Sequence, residues 1–378
     1  MSRVLIVTNI FPPLIGGPAT FADRLGHVLA SRGHKVTVVC SSIDAIDPAD
    51  SRRPFRVVRV STRNRYAYEV KVRATLAREL LSHNRILVAG LESYILDAGR
   101  IAPRRYVLRV PGDVVWESAR NYGVATQGFD EFQEEPSPPA LVQGIAVKRL
   151  RYLSRATTVV TPSHYLEGVV RRWPGVPLDL RTIQNGVELG DYPERTPVPR
   201  TGRPLRVLFV GRLTNWKGTE TLLLATRDLP GIEVDIVGDG PELPLLTTLH
   251  AQLGSPASVA FLGRRRQDEV KSYMLAADIL ALPSNYEGMS HTLLEACAAG
   301  LVPVVSDIGG NREVITHEQH GLVIPYADPA ALRGALVRLR DDDALRLRLA
   351  AAARRRAADF PFDATVDAYA TLIEEQAS

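Results

Sequence analysis

At 378 residues the chain exceeds one ordinary hydrophobic core, and two domains of roughly 100–200 residues each are expected. With 45% apolar and 23% charged residues, no apolar run of the roughly 18 residues a membrane helix needs, and Cys40 and Cys297 as its two thiols, it reads as a soluble globular protein, neither membrane-spanning nor disulfide-framed. The net charge of +4 is uneven: residues 1–195 carry 27 Lys+Arg against 19 Asp+Glu and the rest 19 against 23, so the first half suits an anionic partner or a plain solvated, arginine-rich face.

In chain order, "RVLIVTN" (3–9) is a first strand. The opening "MSRVLIVTNIFPP" has too short an apolar run, and no small-residue cleavage site, for a signal peptide, so a cytoplasmic protein is expected. A glycine loop and a helix over 20–33 follow, then a strand at 34–41. "FRVVRV", "RILVAG", "YVLRVPG" and "TTVVTPS" add short strands, each closed by turn residues or a helical stretch. Four prolines within 192–204 mark a linker. Beyond it the alternation restarts, with strands at 205–211, 232–240, 257–263, 277–284, 301–307 and 321–326. One long helix is expected over 331–357, and a final helical stretch over 363–378. β-Branched runs alternating with amphipathic stretches predict a parallel sheet with helices on both faces. The chain is therefore expected to be α/β: two doubly wound Rossmann-like domains, 1–195 and 205–360, joined at 196–204. Ligands of such sheets lie beyond the C-terminal ends of the strands, so the loops after strands are the ones to search.

The first such loop, "NIFPPLIGGPATFADRL", places Gly16 and Gly17 at a helix start, where backbone amides can approach an anion; a simple glycine turn fits equally. It has neither GxGxxG nor the acid of a dinucleotide ribose site, which argues against a nicotinamide dehydrogenase. In "FVGRLTNWKGTE" (209–220), Arg212 and Lys217 suit a diphosphate, one by forked donation and one as a point charge; two solvated loop charges are the plainer reading. The third is "SNYEGMSHTLLEACAAGLVPVVSD" (284–307). Thr292 and Glu295 have the spacing of a capping box, and an exposed loop acid accounts for Glu287. The same stretch also fits a ligand. Amides of Met289, Ser290, His291 and Thr292 can hold a phosphate at the helix mouth, with Glu287 on a sugar at one side and Glu295 on a ribose at the other.

"GRLTNWKG", "VGDGPE", "SNYEGMSHTLLEACAAGLVPVVSDIGGNREVI" and "FPPLIGGPATFADRLGHVLASRGHKVTVV" together resemble the retaining glycosyltransferases of family 4 over both domains, Glu287 and Glu295 forming that group's E-x7-E motif. The resemblance implies the GT-B fold, two Rossmann-like domains facing across a cleft, with the final helix (361–378) crossing back to the first. It implies a nucleotide-sugar donor held mainly by the C-terminal domain: Arg212 and Lys217 on the diphosphate, Glu295 on the ribose, Glu287 and the Met289–Thr292 amides on the sugar and distal phosphate. Gly16 and Gly17 would approach the diphosphate from the other domain. The stretch 262–270 matches the region lining the base, with Arg264 nearest. No metal or other cofactor is expected.

The implied reaction is same-face displacement, in which the leaving diphosphate helps deprotonate the acceptor hydroxyl and the two cations stabilise its charge. An epimerase, or a transferase joining non-sugar rings on the same scaffold, is the alternative. Where many relatives carry a histidine, this chain has "LRVPGDVVWESARNYG" (108–123). Asp113 there is expected to contact acceptor or sugar hydroxyls and Trp116 to offer a stacking surface, against the plainer reading of a capping aspartate and a core tryptophan. The acceptor stays open between a soluble small molecule and a lipid-linked one, and no nucleic acid partner is expected. "RNRYAYEVKVR" (63–73) mixes cations and aromatics, which admits peripheral contact with the inner face of an anionic membrane or a merely solvated face.

Overall fold

The computed structural model describes residues 1–14, 16–135, 137–173, 179–194, 202–254 and 258–376. Of the linker expected at 196–204, residues 196–201 lie outside the described residues. The chain forms two compact units: residues 1–119, 136–184 and 363–378 make the first, residues 120–135 and 185–362 the second.

The first unit is built on seven strands: β1 (Arg3–Thr8), β2 (Lys35–Ser42), β3 (Arg56–Ser61), β4 (Arg85–Ala89), β5 (Tyr106–Arg109), β6 (Ala156–Thr161) and β7 (Leu180–Thr182). They lie in the order β3-β2-β1-β4-β5-β6-β7, every pair parallel. Val4, Leu5, Ile6 and Val7 have no exposed surface, as a central parallel strand requires when crossover helices cover both faces. The stretch 63–73 is helical from Arg65 on: the side chain of Asn64 accepts from Ala67 N at 3.0 Å and starts the helix Arg65–Ser82. Within this unit the final helix, Phe362–Glu375, buries Tyr369 edge-on to Phe21, with ring centroids 4.7 Å apart. Arg32 bridges its Asp367 and Glu374, at 2.7 and 3.1 Å.

The second unit holds β8 (Leu205–Val210), β9 (Ile232–Val237), β10 (Ser258–Gly263), β11 (Ile279–Leu282), β12 (Val302–Ser306) and β13 (Leu322–Ile324), in the order β10-β9-β8-β11-β12-β13 and all parallel. Alternation along the strands makes two cores. Val207, Phe209, Ala281 and Val304 pack with Leu222, Leu332 and Leu336, while Leu208, Leu280, Leu282 and Val305 pack with Leu294, Cys297 and Ala353. The helix expected over 331–357 is two helices, Pro329–Asp341 and Asp343–Ala357. Asp342 leaves helical geometry, and its side chain accepts from Leu345 N at 2.8 Å, starting a second helix where the apolar periodicity alone runs on. Residues 120–135, which lie in sequence between β5 and the helix Ala140–Leu153 of the first unit, belong to the second unit and end in the short helix Phe129–Glu134.

In each sheet the strand order reverses once, at β1 between β2 and β4 and at β8 between β9 and β11. That reversal sends the flanking crossovers to opposite faces and leaves a crevice at the strand C-termini.

Candidate active site

In the second unit the crevice beside β8 is bordered by the loops that follow β8 and β11. The first loop is pinned by Leu213 N to Asp239 O and Lys217 N to Thr214 O, each 3.0 Å. It meets the second loop at Gly218, which has φ of 70° and where a Cβ would lie 2.0 Å from the Pro283 carbonyl oxygen, so the two backbones approach this closely only over a glycine. Asn285 N donates to Trp216 O at 2.7 Å and joins the loops further. In this setting Lys217 Nζ donates to Glu287 Oε1 at 2.7 Å, and Ser284 Oγ donates to the same oxygen at 2.8 Å. Glu287 is 7% exposed, so it is a buried, paired carboxylate and not a surface loop acid. Arg212, on the same loop as Lys217, is exposed, and no hydrogen bond or ion pair among the described residues engages its guanidinium.

The helix His291–Ala298 starts directly beyond. Its cap is Ser290, whose Oγ accepts from Leu293 N at 3.3 Å, so Thr292 and Glu295 do not form a capping box. Asn185 Nδ2 donates to Met289 O at 2.8 Å and fixes the turn before the cap. The amides of the first turn lack intrahelical acceptors and carry the positive end of the helix dipole, which favours an anion at Met289–Thr292. Glu295, one turn in, is partly buried, and burial pushes its carboxyl up to about 7; nearby Lys271 opposes the rise and Asp191 adds to it. Lys271 and Asp191 are paired with each other. Glu295 therefore exchanges its proton near neutrality, and the folded chain holds that proton where the unfolded chain has lost it.

Further contacts hold the Glu287 loop from below. Ser306 Oγ, at the end of β12, donates to Ser284 O, and Asn311 Nδ2 donates to Ser306 O at 3.0 Å. Gly310 lies under Glu287, and a Cβ there would sit 2.0 Å from the Glu287 carbonyl oxygen. Arg264 is exposed just past the end of β10, the edge strand on the other side of β9.

In the first unit Gly16 precedes the helix Gly17–Ser31 with φ of 147°, a conformation that favours glycine, and Ile15 lies outside the described residues. The expectations for Asp113 and Trp116 need correction. Asp113 is fully buried; its Oδ1 accepts from Val115 N at 2.9 Å and from Arg149 at 2.5 Å, while the Arg149 guanidinium stacks 3.8 Å over Trp173. That oxygen starts the helix Val114–Asn121 and holds its loop, and Asp113 has no exposed surface from which to meet a hydroxyl. Trp116 is likewise fully buried, a core side chain with no face for a sugar.

Sequence reasoning missed the residues that knit the site: Asn185, Ser284, Asn285, Ser306, Asn311 and Phe129. Their signal was weak, since each is a single uncharged polar or aromatic residue; the partners of Asn185, Asn285, Ser306 and Phe129 lie far along the chain, and the side chains of Ser284 and Asn311 donate within five residues.

Residues 194–356 match the family described as glycosyl transferases group 1. A glycogen synthase of Mycobacterium tuberculosis is 27% identical over 98% of this chain and 94% of its own. From the same species, a GDP-mannose-dependent alpha-(1-6)-phosphatidylinositol monomannoside mannosyltransferase is 28% identical over 86% of this chain and 85% of its own. The chain is a glycosyltransferase. A solved sucrose-phosphate synthase from Thermosynechococcus elongatus superposes with a TM-score of 0.80, at 22% identity over 99% of both chains, and the fold is GT-B. In this glycosyltransferase the matched span contains Arg212, Lys217, Arg264, Glu287 and Glu295, whereas Gly16, Gly17 and Asp113 fall outside it. Among its described residues no helix is long and apolar enough to cross a membrane, and no three His, Cys, Asp or Glu side chains converge as a metal-binding group.

Proposed function

We propose that this glycosyltransferase, in the manner of the retaining enzymes of family 4 with their E-x7-E motif, moves a hexosyl group from a nucleotide sugar to an acceptor hydroxyl with retention at the anomeric carbon and without a metal. The observation that carries the reading is the Lys217–Glu287 pair at 2.7 Å beside a helix mouth, with the exposed Arg212 on the same loop as the lysine. Two cations and the positive end of a helix dipole suit a diphosphate; a carboxylate within reach of the same lysine suits the sugar next to it.

In this reading Arg212 and Lys217 hold the diphosphate, and the Met289–Thr292 amides take its distal phosphate. Glu287 accepts from sugar hydroxyls, Glu295 from the two ribose hydroxyls, and Arg264 lies toward the base. Gly16 and Gly17 offer backbone amides to the diphosphate. The acceptor oxygen attacks the anomeric carbon on the face from which the diphosphate leaves. The new C–O bond forms as the sugar–phosphate C–O bond breaks, and the hydroxyl proton passes to the departing phosphate oxygen. Charge builds on that oxygen, where the two cations stabilise it most in the transition state.

A thermal-shift series against UDP-, GDP-, dTDP- and ADP-sugars tests the donor, run from about pH 6 to about pH 8 on wild type and Glu295→Gln. A ligand at about 100 times its Kd adds roughly 2.7 kcal/mol. One base is expected to stabilise selectively, and more strongly as pH rises through 7, because the carboxylate accepts from both ribose hydroxyls in charge-assisted bonds, whereas the acid keeps one neutral acceptor oxygen. In Glu295→Gln that pH dependence disappears. The unliganded protein shows the opposite sign. The folded carboxyl keeps its proton up to about 7 and the unfolded one loses it well below, so wild-type stability falls over that interval and the glutamine variant gains on it, by on the order of 2 kcal/mol at about pH 8. Stabilisation by no donor at millimolar concentration would refute the reading.

Peripheral contact with an anionic membrane on the cytoplasmic side belongs to the same proposal. Its support is Tyr66 and Val70, 86% and 70% exposed on the helix Arg65–Ser82, flanked by exposed Arg63, Arg65 and Lys71. Co-sedimentation with phosphatidylserine vesicles, weakened by salt and by Tyr66→Ser with Val70→Ser, is the expected result; equal recovery in the supernatant with neutral and anionic vesicles would remove it.

A further inference from the structure

Residues 120–135 reach each of the loops that build the site. Asn215, between Arg212 and Lys217, donates through Nδ2 to Arg120 O at 3.2 Å. Phe129 N donates to Asn285 Oδ1 at 2.9 Å, and the Phe129 ring stacks on Tyr286 with centroids 4.0 Å apart and planes 25° from parallel. Asp130 acts electrostatically on Arg312, two residues past Gly310. Asn285 and Tyr286 immediately precede Glu287, and Phe129, Asn285 and Tyr286 are 2%, 7% and 6% exposed.

Asn285 is the junction. Its backbone N–H is held by the loop after β8, through Trp216 O, and its side-chain oxygen by the segment, through Phe129 N. A two-point hold of this kind fixes the direction in which the chain leaves toward Glu287, and the ring stack closes the third side. Ordinary core packing would need the buried ring; it would not need the segment's backbone to satisfy the amide of the residue two before the sugar-side carboxylate.

We propose that residues 120–135 form a positioning segment for the donor-sugar end of the site, with Phe129 and Asn285 setting the place of Glu287. The inference rests on the nucleotide-sugar reading given above. It assigns a distinct consequence: the Phe129–Asn285 contact governs the grip on the sugar and leaves the grip on the nucleotide alone, because Glu295 and Arg264 stand on other elements and the segment meets the Arg212–Lys217 loop through Arg120. Displacing a positioned group by about 1 Å can cost on the order of 100-fold, so a partial loosening is expected to be worth about tenfold.

The test is calorimetric titration of the full chain with UDP-glucose against UDP, and GDP-mannose against GDP, for wild type, Phe129→Ala, Phe129→Tyr and Asn285→Ala. Phe129→Ala and Asn285→Ala are expected to weaken the bound nucleotide sugar about tenfold while the matching free nucleotide changes less than about twofold, and Phe129→Tyr, which keeps the stack, to stay near wild type. Equal losses for nucleotide sugar and free nucleotide would mean general loosening of the unit and overturn the inference, as would no loss at all. Should Phe129→Ala fail to fold, Asn285→Ala carries the same comparison. A wild type that binds neither these four probes nor a dTDP- or ADP-sugar with its free nucleotide overturns the donor reading and the inference with it; a wild type that binds, with variants that bind alike, overturns the inference alone.

Discussion

Replacing Lys217 by alanine is expected to lower kcat by about 100- to 1,000-fold, the loss that follows removal of one group aimed at developing charge. The substitution removes two things at once. It takes away a cation proposed for the leaving diphosphate, and it strips the buried Glu287 carboxylate of its ion-pair partner at 2.7 Å, leaving Ser284 as the hydrogen-bond donor on that oxygen. Removing one member of a buried pair costs about 3–5 kcal/mol; Lys217 keeps a fifth of its side chain in solvent, so roughly 2 kcal/mol of unfolding free energy is the expected loss here. Steady-state release of the nucleotide product, with urea unfolding alongside, separates the two. Adding Glu287→Gln to Lys217→Ala should restore much of the stability, since no unpaired charge then remains, and none of the turnover. A Lys217→Ala enzyme with kcat within a factor of about ten of wild type would exclude the lysine from the chemistry.

Gly310→Ala is expected to do comparable harm from beneath the loop. The added Cβ would lie 2.0 Å from the Glu287 carbonyl oxygen and 2.8 Å from that of Gly288, and both obstacles are backbone, which cannot rotate away as a side chain can. Overpacking of this kind costs about 1–3 kcal/mol, and relief requires the Glu287 loop to lift. Loss of kcat/KM by about 100-fold is expected, with most of the fold intact by circular dichroism. Gly334→Ala is the control. It lies in the exposed part of the helix Pro329–Asp341 with nothing within 4 Å of its would-be Cβ, and should gain roughly 0.5–1 kcal/mol from lower chain entropy. Equal activity of the alanine and glycine forms at 310 would show that the loop tolerates movement that the geometry forbids.

The strands were the most legible part of the chain. Leu5, Ile6, Val207 and Leu280 belong to short β-branched or leucine-rich runs, and a parallel strand covered on both faces must read that way, because neither face meets water. The loops after β8 and β11 were legible because ligand sites in such sheets collect at strand C-termini, where Arg212, Lys217 and Glu287 stand out by residue type alone. The break at Asp342 was not, since an aspartate inside an amphipathic pattern is compatible with either a helix interior or a new cap, and the backbone geometry decides between them. The same holds for Ser290 over Thr292 as the cap of the helix His291–Ala298.

Asp113 shows where local reading ends. A carboxylate after a strand and a Pro-Gly turn has the right position for a ligand contact, but Arg149, thirty-six residues on, folds back to claim it. Residues 120–135 show the same limit at larger scale, since their placement in the second unit depends on the stack of Phe129 on Tyr286, more than 150 residues away.

By itself the sequence determined the α/β class, the two parallel sheets and the charged loops at their strand ends, because those follow from the periodicity of apolar residues and from residue chemistry within a few positions. Only the tertiary structure decided that Lys217 and Glu287 are paired, that the Glu295 carboxyl is raised toward neutrality, and that Asp113 is spent on Arg149, because pairing and burial are properties of what a side chain meets in space, and its partners come from distant parts of the chain.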